Sequence, residues 1–208
     1  MNNELYTTAY NDGAVRIDAF DNAIFDAAAI APVLAPLQPA VFPTGADSVI
    51  YYDKPNCWGR VALAKAGVFA KGIFTYRFMD RVAPFQGVDR LIVNWERAAN
   101  AGLPIPAYRG AFAVRQHAEW IWGGILSEYL AGWRELDKTS AADADLMLQA
   151  IAAFAKQGVY NRDMHCKNAM TDGNGGIKVV DLDSLEFGWK PAEAKAAMEA
   201  FFAASLEE

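Results

Sequence analysis

The stretch that decides the fold runs from Gly158 to Ser184 and reads GVYNRDMHCKNAMTDGNGGIKVVDLDS. Gly158 ends a helical pattern, and Asn161 to Asn168 (NRDMHCKN) is a polar loop. Ala169–Met170 and Ile177–Val180 are short apolar runs on either side of Thr171–Gly176 (TDGNGG), which is a hairpin signature. The second run stays apolar up to Val180 and stops at Asp181 (VVDLD). The pattern therefore predicts a carboxylate and a carboxamide, Asp163 and Asn168, in one loop. It predicts a second carboxylate, Asp181, fixed by the end of a buried strand.

That set has a chemical use. A carboxylate in a loop can orient a hydroxyl and accept its proton. An amide oxygen and a second carboxylate are hard oxygen donors, the kind Mg²⁺ takes when it is held against nucleotide phosphates. Asp163 is the candidate base, with Arg162 beside it, and Asn168 and Asp181 are the candidate metal ligands. Asp163 and Asn168 are also ordinary turn residues, so their reading leans on Asp181 and on the rest of the chain. Asp183 is either a second metal ligand or a cap for the next segment of chain. His165 shapes the loop or touches substrate. Cys166 has no base and orienter beside it in sequence and reads as structural rather than nucleophilic.

Working outward, Pro191–Leu206 is an alanine-rich helix with proline in its first turn. Upstream, Ser140 and Asp143 have the spacing of an N-terminal cap, and Met147, Ala150, Ile151 and Phe154 make the inner face of the helix that Gly158 ends. Leu130-Ala131-Gly132 reads as a turn, preceded by strand-like pieces around Ala111–Val114 and Ile121–Ser127. Val88, Leu91, Ile92, Trp95 and Ala98/Ala99 recur at helical spacing. Gly102 takes the C-terminal position of that helix, and Pro104 and Pro106 prevent its continuation. Earlier still, Ser48–Tyr52 (SVIYY), Arg60–Lys65 (RVALAK) and Val68–Phe78 (VFAKGIFTYRF) are strand patterns, with Asp53–Gly59 (DKPNCWG) as a loop and Ala66-Gly67 as a tight turn. Residues 1–45 are rich in alanine and proline and predict a short strand and a helix. Strands come first and helices later, which predicts two lobes of α+β type.

Composition limits the remaining classes. With 208 residues, 53% hydrophobic and 21% charged, the chain can bury a core and is one large domain or two small lobes. A net charge of −6 with only 19 Lys and Arg argues against nucleic acid as a partner. Two cysteines far apart, Cys57 and Cys166, make no disulfide framework and no zinc spacing. The start, MNNELYTTAYNDG, has no basic segment leading into an apolar one, so no signal peptide is expected. Ala27–Leu37 is broken by Pro32 and Pro36 and is too short to span a bilayer. The expectation is a cytoplasmic protein, with peripheral contact at the inner membrane left open. The six tryptophans read as core packing and His117 as a surface residue.

The Gly158–Ser184 stretch resembles the catalytic loop and metal-binding segment of the protein-kinase-like superfamily. Arg162-Asp163 followed by Asn168 matches its Arg-Asp-x-x-x-x-Asn pattern, and Asp181 matches the metal-binding Asp of its Asp-Phe-Gly segment. Asn161 stands where that family carries histidine, and Leu182-Asp183 where it carries Phe-Gly. The DLD form is most similar to bacterial lipopolysaccharide core (heptose and Kdo) kinases and RIO-type atypical kinases. Asn94–Pro106 (NWERAANAGLPIP) resembles the end of their C-helix, Gly67–Lys71 (GVFAK) their strand-3 lysine segment, and Ile125–Leu130 (ILSEYL) their hinge. The pieces follow the family order over residues 48–187.

The resemblance implies an α+β, two-lobed protein-kinase-like fold. It would have an N-terminal extension (1–47), an antiparallel-sheet N-lobe (48–126), a hinge (127–131) and a reduced helical C-lobe (132–208). It implies an ATP- and Mg²⁺-dependent phosphotransferase acting on a hydroxyl, of a lipopolysaccharide core sugar or of a protein serine, with the acceptor class and any protein partner open. Lys71 would contact the α and β phosphates, with Lys65 as its competitor. Glu96 would be the lysine's partner by order and type, although the family glutamate lies nearer Asp89 and Leu91. Backbone groups of Glu128, Tyr129 and Leu130 would bind adenine, and Asp53–Arg60 would cover the phosphates with Gly59 as its permissive residue. No Gly-x-Gly-x-x-Gly loop is present. That lack, with Asn161, motivates the alternative of a pseudokinase serving as a nucleotide-binding or scaffolding module. The short remainder after Asp181 leaves room for a single helix, which implies no phosphorylated activation loop.

Overall fold

The computed structural model describes residues 3–35, 48–53, 58–74, 88–116 and 119–207. Two compact units divide the chain, Met1–Val93 with Ala107–Ala131, and Asn94–Pro106 with Gly132–Glu208. The architecture is α+β, with four α-helices and an antiparallel sheet among the described residues.

In the first unit the chain forms β1 (Tyr6–Asn11), β2 (Val15–Phe20), α1 (Ala27–Leu34), β3 (Ser48–Asp53), β4 (Trp58–Leu63) and β5 (Val68–Phe74). Helix α2 (Asp89–Asn100) comes next and is split between the units at Val93/Asn94; then come β6 (Tyr108–Gln116) and β7 (Glu119–Glu128). The seven strands pair antiparallel in the order β1-β2-β6-β7-β5-β4-β3. Strand alternation sends Val15 and Ile17 of β2, Val68 and Ala70 of β5, Phe112 and Val114 of β6, and Trp122 and Leu126 of β7 to one face. Ala27, Ile30, Ala31 and Leu34 of α1 close that face. The Phe112 and Trp122 rings meet edge to face with centroids 4.4 Å apart. A Cβ at Gly72 would collide with the Gly123 carbonyl, so β5 and β7 can approach this closely only with glycine there.

Three expectations change here. Residues 1–45 hold two strands before the helix rather than one, because Asp12 Oδ1 takes the Ala14 and Val15 amides and turns the chain back at Gly13 (φ 85°). Gly59 lies inside β4, opposite Tyr52 and Gly72, and not in a loop, since the β3–β4 ladder runs out to Asp53 and Trp58. Strand β4 also stops at Leu63, before the expected Lys65, as Ala64–Ala66 take a 3-10 turn closed by Gly67 in the left-handed region. Residues 36–47, 54–57 and 75–78, with Cys57 and His117, lie outside the described residues, as do the side chains of Arg60 and Lys65.

The second unit starts with the C-terminal part of α2. It continues with β8 (Arg134–Glu135), α3 (Ala141–Lys156), β9 (Val159–Asn161), β10 (Ala169–Thr171), β11 (Ile177–Val179), β12 (Leu185–Phe187) and α4 (Pro191–Glu207). The small sheet is ordered β11-β10-β8, and β12 pairs with β9. Ser140 caps α3 by accepting the Asp143 amide at 3.3 Å, and Met147, Ala150, Ile151 and Phe154 are buried as expected. Helix α3 packs on α4, whose Ala194, Met198 and Phe202 form its inner stripe. Gly158 (φ 66°) ends the α3 segment, and its carbonyl accepts the Gly188 and Trp189 amides. Among the described residues no helix is long and apolar enough to cross a membrane.

Candidate functional site

The polar loop after β9 and the segment after β11 meet in the second unit. Asn161, wholly buried at the end of β9, joins them. Its Nδ2 donates to the Asp181 carbonyl at 3.1 Å, and its Oδ1 accepts the Asp163 amide, also at 3.1 Å. One donor and one acceptor on opposite sides fix the orientation of the amide group. The Ser184 hydroxyl lies 2.6 Å from Asp163 Oδ2 and 3.0 Å from Asn161 Oδ1. Asn168 Nδ2 donates to the Asp163 carbonyl at 3.1 Å, and the Asn168 carbonyl accepts the Val180 amide at 2.9 Å. Asp163, Asn168 and Asp181 are thus tied into one network, each half-buried.

Helix α2 holds the other side of the DLD segment. Buried Asn94 donates from Nδ2 to the Leu182 carbonyl at 3.0 Å. Ala98 and Ala99 close the helix end by accepting the Leu103 and Gly102 amides, with Gly102 at φ 64°. The chain then runs past β11, where Pro104 accepts the Val179 amide at 2.8 Å. Leu182 is fully buried, which anchors the backbone between the two aspartates. Asp181 Oδ1 accepts the Asp183 amide at 3.4 Å.

Asn168 and Asp181 fit a Mg²⁺ ion in donor chemistry, since both offer hard oxygens and Mg²⁺ usually takes one or two protein ligands beside water and phosphate. The Nδ2 of Asn168 is used on Asp163, so its Oδ1 is the atom left for a cation. Among the described residues no group of three His, Cys, Asp or Glu side chains converges as an all-protein metal cage.

Arg162 is exposed on the loop and His165 half-buried. Cys166 is buried, and that burial, aided by the charges of Asp143 and Asp137, pushes its thiol up, away from a nucleophilic thiolate. Glu96 sits half-buried on α2, two residues beyond Asn94.

The first unit carries the other candidates. Lys71 lies in mid-β5 between Arg60 of β4 and Ile125 of β7 and is 3% exposed. At the expected hinge the Glu128 amide donates to Ala107 and the Tyr129 amide to Gly67, both at 2.9 Å. Glu128 Oε2 accepts the Ala107 amide at 3.1 Å, and the Tyr129 carbonyl accepts from Ala131. The Glu128 and Tyr129 amides, two of the backbone groups expected to bind adenine, are therefore engaged inside the unit.

Neither a protein-family model nor a curated protein matches the sequence. Among solved structures, the fold is similar to "WaaP in complex with acyl carrier protein", with 14% identity, TM-score 0.49, and coverage of 85% of this chain and 74% of that one. It is also similar to the bifunctional kinase-methyltransferase WbdD, with 18% identity, TM-score 0.44, and coverage of 64% of this chain and 30% of that one.

Two network members carry no role in the sequence. Asn94 looks like one more polar residue on an amphipathic helix, and Ser184 like the end of a motif. Asn161 stands out only as a departure from histidine. Its burial beside two functional candidates cannot be read from spacing, although its place two residues before Asp163 is the spacing of an Asx turn.

Proposed function

We propose that the chain is an ATP- and Mg²⁺-dependent phosphotransferase that passes the γ-phosphate to a hydroxyl acceptor. The observation that carries this reading is the single network through Asn161 that links the Asp163 loop to the Asp181 segment. Phosphoryl transfer asks little covalent chemistry of a protein and depends on positioning and charge. Asp163 orients the acceptor hydroxyl and takes its proton as the oxygen attacks. Asn168 Oδ1 and the Asp181 carboxylate would hold a Mg²⁺ ion, which would supply positive charge against the nucleotide phosphates. Lys71 serves the phosphates, with Glu96 as its partner, and backbone groups of the Glu128–Leu130 segment serve adenine. The acceptor is a sugar or protein hydroxyl.

The test is ATP turnover. Mg-ATP should raise the melting temperature of the wild type and be hydrolysed or transferred slowly, and Asp181→Ala should lose the Mg²⁺-dependent part of that stabilisation. Asp163→Asn should keep the stabilisation and lose at least about 100-fold in turnover, the low end of what a positioned acid-base group supplies. Nucleotide binding with no turnover above the Asp163→Asn background would favour the pseudokinase reading.

A further inference from the structure

Ser184 lies just past the DLD segment and is neither the base nor a metal ligand. It is 6% exposed, and its hydroxyl has one proton for two nearby oxygens, Asp163 Oδ2 at 2.6 Å and Asn161 Oδ1 at 3.0 Å. The shorter distance and the carboxylate charge assign that proton to Asp163. Asn161 Oδ1 already accepts the Asp163 amide and is the uncharged, more distant acceptor, so it competes weakly for that proton. Ser184 itself is held in place by the pairing of the next residue, Leu185, with Asn161 across β12 and β9.

We propose that Ser184 is a positioning residue for the phosphoryl transfer, fixing the carboxylate of Asp163 so that Oδ1 is the oxygen presented to the acceptor hydroxyl. The proposal rests on the phosphotransferase reading and deepens it. A carboxylate turns readily about its last bond, since terminal sp³–sp² torsions have broad wells. Backbone contacts to Asp163, from Asn161 and Asn168, hold its main chain but not its oxygens. Ser184 is the side chain in this network that engages a carboxylate oxygen of Asp163. Holding that group in a near-attack arrangement lowers the barrier without changing how ATP binds.

The experiment compares the wild type with Ser184→Ala, Ser184→Cys and Ser184→Thr in steady-state Mg-ATP turnover, with Mg-ATP thermal stabilisation measured alongside. Ser184→Ala should lower kcat about tenfold, as expected for losing one hydrogen bond to a charged group. The KM for Mg-ATP should stay within about twofold of the wild type, and the thermal stabilisation should be retained. Ser184→Thr keeps the hydroxyl and should recover most of kcat. Ser184→Cys keeps the volume with a weaker donor and should behave like the alanine variant, which covers the case in which alanine does not fold. A kcat within about twofold of the wild type for both alanine and cysteine would overturn the proposal. So would a threonine variant as impaired as alanine, since the role would then be packing. An inactive wild type would overturn the phosphotransferase reading and this role together, whereas an active wild type indifferent to Ser184 would remove the role alone.

Discussion

Asn161 is where the site is most exposed to a single change. Its amide satisfies the Asp163 amide, the Asp181 carbonyl and the neighbourhood of the Ser184 hydroxyl from a position with no solvent access. Asn161→Asp keeps the acceptor oxygen and removes the donor, so the Asp181 carbonyl loses the Asn161 hydrogen bond and a charge enters beside Asp163. Leaving a buried polar group unsatisfied costs about 1–3 kcal/mol, and burying an extra carboxylate adds to that. Urea unfolding of the second unit should therefore show a loss of at least this size. An unchanged midpoint would mean that the Asn161 contacts contribute nothing net. In the sequence this residue argues against activity, because only its difference from histidine is visible. The structure gives it a structural role: its amide donates and accepts at once from a fixed group, as the two ties here use. Asp163, Asn168 and Asp181 are legible because their spacing is short and their residue types are specific. Asn94 and Ser184 are not, because hydrogen bonds over long sequence separations leave no periodic signal.

Helices are easier to read than strands for a related reason. The apolar stripe of α3 and its Ser140 cap are local, and both appear where expected. Strand β1 is an edge strand with a mostly exposed surface, so it lacks the alternation that marks a half-buried strand. Strand β8 has only two residues and exists because Glu135 and Arg134 meet Met170 and Thr171 of β10. Arg134 then forms a forked pair with Asp143, at 2.5 Å and 3.0 Å, while the Asp137 amide donates to the same carboxylate at 2.7 Å. These contacts, Arg134 foremost, hold Asp143 below its ordinary carboxylate value of 3.8. Linkage sets the sign: a carboxylate whose folded value is depressed lends stability above its unfolded value, and that stability fades as pH falls through the folded one. Asp143→Asn should therefore lower stability at neutral pH and lose less than the wild type between neutrality and about pH 3. Chemical unfolding at several pH values checks this; parallel curves for the two proteins would contradict it. On the other side of the unit, Asn94→Ala frees the Leu182 carbonyl that α2 holds. It should weaken Mg²⁺-dependent stabilisation by ATP severalfold while leaving Asn168 and Asp181 in place, and titrating Mg²⁺ at fixed ATP reads that shift. A Mg²⁺ midpoint equal to that of the wild type would show that α2 does not position Asp181.

For the molecule as a whole, the first 35 residues matter most to the revised picture. The sequence suggests an extension set apart from the ordered motifs, yet β1 and β2 continue the main sheet beyond β6, and α1 closes its apolar face. Ile30 and Leu34 of α1 and Val15 and Ile17 of β2 are completely buried. Each such side chain contributes about 1.5–3 kcal/mol. Four of them approach the roughly 5–15 kcal/mol that stabilises a whole domain. Removing residues 1–35 would also uncover Phe112, Val114, Trp122 and Leu126 and turn β6 into an edge strand with an apolar face. The truncated protein should accumulate as aggregate or, if recovered, bind a hydrophobic dye and show no cooperative melting of the first unit. Removing only residues 1–5 spares both strands and should leave melting close to that of the full chain. A protein lacking residues 1–35 that melts cooperatively near the wild-type temperature would make these residues the dispensable extension after all. Loss of folding in the long truncation and not in the short one would place them in the fold that carries Lys71, ahead of any part they take in binding an acceptor.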